Sequence, residues 1–191
     1  MPRILVTAPE SEPVSISEAK AHLRVTFSDE DTYIDSLVKT ARRQAEKYCR
    51  RAFITQTWDL VLDGFPCGSI EVPLPPLQSV TSITYVDTNG ATQTLASGNY
   101  TVDTKSNPAR ITPAYGKVWP TTQSHINVVT VRFVAGYGSS TDVPDDIGHA
   151  LKLMIGHWYE NREDTIAAAD IKEVPKTSMW ILDAYRLPEI A

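Results

Sequence analysis

The stretch from Ser28 to Pro66, "SDEDTYIDSLVKTARRQAEKYCRRAFITQTWDLVLDGFP", changes its periodicity part-way through. Up to Phe53 the apolar residues recur every three or four positions. Ile34, Leu37, Val38, Ala41, Ala45, Tyr48, Cys49 and Ala52 form one stripe of a helix. Ser28 is placed to cap that helix, and Asp29, Glu30 and Asp31 suit the positive end of its dipole. From Ile54 the pattern alternates, with Thr, Trp and Leu at the spacing of a half-buried strand. The opposite face of the helix carries Lys39, Arg42, Arg43, Lys47, Arg50 and Arg51, relieved by Glu46. It is either a solvated face or a contact surface for an acidic partner or for passing DNA.

Upstream, "PVSISEAKAHLRV" opens a short helix, and Ser15 with Glu18 has capping-box spacing. Downstream, the block 54–143 holds 14 Thr and is poor in charge. Pro66, Pro73, Pro75 and Pro76 keep its strands short, because proline is confined to sheet edges and bends. Asn89-Gly90 marks a tight hairpin turn. "NYTVDTKSNPARITPA" reads as two short strands around Asn107-Pro108, and "INVVTVRFVAGYG" is the strongest strand pattern. The glycines of "GYGSSTDVP" lack the lysine and helix of a phosphate loop and read as a linker. Pro144 starts a second long helix, with Asp145 and Asp146 at its positive end. Its stripe is Ile147, Ala150, Leu151, Met154, Ile155 and Trp158. "TIAAADIKEV" reads as a mobile connection, and Thr177–Arg186 as a last short helix.

The fold expected is therefore α+β. Residues 1–53 and 144–191 form a helical body, and 54–143 an inserted antiparallel β module. The last residues, "KTSMWILDAYRLPEIA", are unusually apolar for a chain end. Trp180, Ile181, Ala184 and Tyr185 have the spacing of a helix laid in a groove. The segment from about 174 either returns to its own core or docks on another molecule.

The chain has 191 residues and a formal net charge of -5. That balance argues against a general affinity for nucleic acid, whose binding proteins carry basic patches. No signal peptide and no apolar run long enough for a membrane span is visible. Cys49 and Cys67 fit no metal spacing and are expected to be free thiols. His149 and His157 lie eight apart without the carboxylate of a zinc helix, and His22 and His125 stand alone. Neither a nucleophile elbow nor a nucleotide-phosphate fingerprint occurs. Asp63 or Asp87 would have to join the acidic helix starts to make a nuclease metal site, and nothing fixes them there. The expectation is no catalytic residue, no metal and no cofactor.

Asp29, Glu30, Asp31, Tyr33, Ile34, Leu37, Val38, Ala41, Arg42, Glu46, Tyr48 and Arg51, in that order, resemble the opening of the head–tail connector (adaptor) proteins of long-tailed bacteriophages, prophages and gene transfer agents. "PLPPLQSVTSITYVD", "YTVD", "VTVRFVAGYG" and "VPDDIGHALKLMIGHWYENRE" resemble the longer branch of that family. The resemblance implies a non-enzymatic structural subunit of the virion, assembled in the host cytoplasm. Copies would form a ring, dodecameric on the portal protein, that extends the DNA channel and carries a stopper or tail-completion protein. It also implies a C-terminal arm that docks on the portal through Met179, Trp180, Ile181, Leu182, Ala184, Tyr185 and Leu187. DNA would pass the lumen without sequence-specific binding, which the acidic balance suits. The competing readings are a packaging-associated metal-dependent DNA enzyme and a tail-completion or tube protein.

Overall fold

The computed structural model describes residues 2–162 and 177–188. The chain is α+β, with eight strands and four α-helices in the order β1 (Arg3–Thr7), α1 (Ile16–Leu23), α2 (Asp31–Cys49), β2 (Gln56–Leu62), β3 (Ile70–Val72), β4 (Leu77–Val86), β5 (Thr92–Thr94), β6 (Tyr100–Asp103), β7 (Ala109–Pro113), β8 (Val129–Ala135), α3 (Asp145–Glu160) and α4 (Thr177–Asp183) among the described residues. It divides into two compact units. One is Ile54–Tyr137 with the described part of Met1–Glu10; the other is Ser11–Phe53 with the described part of Gly138–Ala191.

The β unit contains a five-stranded sheet, ordered β1-β2-β8-β4-β5, and a three-stranded sheet, ordered β3-β7-β6. Every pairing is antiparallel. The strand with the strongest sequence pattern, β8, lies at the centre of the larger sheet. Its Val129, Val131, Phe133 and Ala135 are buried in strict alternation. Leu60 of β2 and Ile83 of β4 both stand opposite Val131, so three fully buried side chains line up across three strands. On the other face Arg132 donates two hydrogen bonds to its cross-strand partner Asp59, each 2.8 Å. The β4–β5 hairpin turns through Gly90 at φ 82°, and Asp87 bonds the backbone of Ala91 across it.

β1 corrects the division expected from sequence, which placed residues 1–53 wholly in the helical body. Arg3–Thr7 instead pairs with β2 at one edge of the larger sheet. Its residues are all exposed, so no alternation of apolar and polar positions marks it in the sequence.

In the helical unit α1, α2 and α3 pack pairwise, and α4 packs on α2 and α3. The Ser15–Glu18 capping box of α1 is formed in both directions. Ser28 does not cap α2: the helix begins at Asp31 behind Glu30, without a side-chain cap. The buried positions of α2 include Ile34, Leu37, Val38, Ala41, Ala45 and Cys49, and those of α3 are Ile147, Ala150, Leu151, Met154 and Ile155. Burying one side chain of Leu or Ile size stabilises by about 1.5–3 kcal/mol, which explains why two helices so far apart in the chain come together. α4 ends at Asp183, three residues earlier than its spacing suggests. The expected connection 165–174 lies outside the described residues.

Candidate functional site

The last turn of α2 is where the features singled out in the sequence meet. An α-helix leaves its final carbonyls without partners. Here Arg50 turns into the left-handed region at φ 56°, and the N–H groups of Arg50 and Arg51 return to the carbonyl of Glu46. The Cys49 carbonyl is met from the C-terminal segment, by the backbone N–H of Leu187 at 3.1 Å. Arg51 Nε donates to the Tyr185 carbonyl at 2.5 Å, and the Cys49 thiol to the Leu182 carbonyl at 3.5 Å. Tyr48 donates its hydroxyl to Asp183 at 2.5 Å, while Arg186 lies over the Tyr48 ring, 5.0 Å from its centre. The carboxylate holds the phenol proton and raises the Tyr48 pKa above its ordinary value. Burial pushes the Cys49 thiol up to about 11.

The C-terminal segment thus lies on its own body. Leu182 is fully buried, while Met179, Ile181, Tyr185 and Leu187 are half-buried. Trp180 and Ala184 point outward, with Trp180 78% exposed. Asp146, Trp180, Ile181, Asp183 and Ala184 line an open depression of about 550 Å³. Tyr185 donates its hydroxyl to the Asp146 carboxylate at 3.3 Å.

The basic face of α2 divides in the same way. Lys39, Arg43 and Lys47 are exposed, and Lys39 is paired with Asp35 at 2.6 Å. Arg50 and Arg51 are half-buried at the clasp. Arg42 must be removed from the outward face, because only 6% of it is exposed. Its guanidinium binds Glu12 at 2.6 Å and Glu46 at 2.7 Å. Burial alone would lower the Arg42 pKa, but the Glu12 hydrogen bond and the charges of Glu46 and Glu12 outweigh that and raise it. Glu46 also accepts the Phe53 N–H at 2.8 Å, tying the end of the helical segment to the same pair.

A second clasp was not foreseen. Arg162 pairs with Glu30 at 2.7 Å and lies over the rings of Tyr33 and Tyr159, 4.7 and 4.9 Å from their centres. Tyr159 also donates to Glu30, and these two hydrogen bonds lower the Glu30 pKa. In the sequence Glu30 reads only as a helix-start acid. Its partners lie at the far end of α3, and nothing local indicates them.

Among the described residues no group of three or more His, Cys, Asp or Glu is placed to hold a metal ion. No helix there is long and apolar enough to cross a membrane. Cys49 and Cys67 are free.

The sequence model of the family described as phage gp6-like head-tail connector protein matches residues 13–109, just over half of the chain. The chain belongs to this family. No curated protein matches the connector. Solved structures similar to the connector over 100% of its length include a chain from the neck of an empty GTA particle computed with C6 symmetry, at TM-score 0.84 and 23% identity, with 98% of that chain covered. A chain from the neck of a native GTA particle computed with C12 symmetry matches at TM-score 0.82 and 24% identity, again over 98% of its length. A chain from the virion of a native gene transfer agent particle matches at TM-score 0.81 and 25% identity, also over 98%. The connector shares the fold of these chains.

Proposed function

We propose that this connector is a ring subunit at the head–tail joint, extending the DNA channel beneath the portal and carrying the stopper or tail-completion protein. In this reading its work is structural and not catalytic. Its C-terminal segment, Met179 to Leu187, is the part that engages the portal. The observation that carries the reading is the clasp at the end of α2. A helix with an exposed Trp180 lies on its own body, packed on α3 with Leu182 buried and clasped by polar bonds at the end of α2, while its indole stays uncovered. In this reading portal contact replaces the contacts of the clasp, and exposed Trp residues are frequent binding anchors. Ring assembly finds support in the similar chains, which come from necks of particles computed with C6 and C12 symmetry.

The test is truncation after Glu173. The shortened chain should remain folded, with one cooperative melting transition, and should no longer bind isolated portal rings. Full portal affinity in a folded truncated chain would show that the docking surface lies elsewhere. Loss of cooperative unfolding would make the segment part of the core.

A further inference from the structure

Two surfaces of the helical unit are opposite in charge. The first is the outward stripe of α2, where Lys39, Arg43 and Lys47 follow one another at four-residue spacing. Residues so spaced are neighbours on a helix, about 5–6 Å apart. Lys39 is neutralised by Asp35, whereas Arg43 and Lys47 are exposed and make no ion pair among the described residues. The second is the depression around Trp180. An exposed indole lines it together with the carboxylates of Asp146 and Asp183 and the side chains of Ile181 and Ala184. Asp183 is oriented by the Tyr48 hydroxyl, and Arg186 lies over the Tyr48 ring. An aromatic face flanked by carboxylates attracts an Arg or Lys side chain both through the ring and through charge-assisted hydrogen bonds. It repels phosphate, which excludes DNA as the occupant.

We propose that the depression formed by Asp146, Trp180, Ile181, Asp183 and Ala184 receives the α2 stripe of a second copy of this chain, with Arg43 and Lys47 as the inserted cations. The two surfaces are complementary in charge and lie on different elements of one chain. Used head to tail, the two surfaces make a heterologous contact, each copy giving its stripe to one neighbour and its depression to the other, which is the arrangement of a closed ring. The inference rests on the ring reading above. It concerns the segment while it lies on its own body, before any engagement with the portal.

The experiment uses the full chain: self-association is measured by sedimentation velocity and native mass without portal protein, and copies of the unaltered chain per isolated portal ring are counted separately as the check on the ring reading. One variant carries Arg43→Glu and Lys47→Glu, the other Asp146→Lys and Ala184→Lys; all four positions are exposed, and melting curves check that both variants fold. Each variant alone should self-associate about tenfold or more weakly than the unaltered chain. Raising the ionic strength to about 1 M, where screening acts within roughly 3 Å, should weaken the unaltered contact. An equimolar mixture of the two variants should restore association, because each reversed surface then meets a reversed partner. Association of either variant at unaltered strength, or no recovery in the mixture, overturns the proposal and leaves the ring reading standing. A single copy of the unaltered chain on each portal ring would remove the ring reading as well.

Discussion

Arg51 donates its Nε–H to the backbone carbonyl of Tyr185 at 2.5 Å, so a residue just past the end of the first long helix also holds the chain's last described turn. The bond reaches a main-chain atom, and its acceptor survives any change of side chain at position 185. Arg51→Ala should therefore loosen the segment locally while the body stays folded. Hydrogen exchange at the Leu187 amide, now bonded to Cys49, should accelerate, and the global melting temperature should shift little. An unchanged exchange rate would show that the segment's other contacts keep it in place without Arg51.

Arg42 should be among the costliest charges to remove. It is buried between Glu12 and Glu46, and loss of one partner from a buried pair strands the others. Arg42→Ala is expected to cost about 3–5 kcal/mol in urea unfolding. Arg43→Ala, one position along and exposed, should stay within about 0.5 kcal/mol. Equal small losses at both sites would place Arg42 on the surface after all.

Phe133 and Gly136 probe the β unit by different physics. Phe133 is fully buried at the centre of the five-stranded sheet, and Phe133→Ala should cost about 3–5 kcal/mol through the cavity it leaves. Gly136 sits at φ 124°, and a Cβ there would press into the Ile54 carbonyl. Gly136→Ala adds a single carbon and should still destabilise by roughly 1–3 kcal/mol, from strain in place of a void. A denaturant midpoint unmoved by Gly136→Ala would contradict the close approach.

The two cysteines should separate by reactivity and pH. Cys67 is exposed and should be alkylated in the native protein at pH 8. Cys49 is buried with its thiol pushed up to about 11 and should react only on unfolding. The sign of the linkage follows from the neutral thiol being the form the fold prefers. Its contribution is fully present below the unfolded value near 9 and is lost as pH rises towards 11. Cys49→Ser, compared with the unaltered chain across pH 8 to 11, should reduce that alkaline loss. Native labelling of both thiols at one rate would refute the burial.

Much of this was legible in the chain. The helix stripes of α2 and α3, the Ser15–Glu18 box, the Asn89-Gly90 hairpin and the alternation of β8 are local patterns, set by 3.6- and 2-residue periods and by backbone preference. The candidate site was legible only as a list. Six cations on one helix looked alike in sequence, but the structure puts Arg42 inside, Arg51 on the clasp, and Arg43 and Lys47 outside. Helical position shows which residues share a face. It does not show that Glu12 arrives from before α1 to take one of them. β1 was missed for a similar reason: an edge strand exposed on every residue carries no burial pattern.

The sequence by itself determined most element types and the α+β class, because periodicity, capping and turn chemistry act over a few residues; the family came from the resemblance of its motifs in order. It also determined that the C-terminal segment had apolar area to bury. Only the tertiary structure decided where that area goes. Leu182 fills the body, Leu187 satisfies the carbonyl that α2 leaves open at Cys49, and Trp180 remains outside. Those outcomes depend on which orphan backbone groups and cavities lie within reach once distant segments have packed, and no local pattern encodes them.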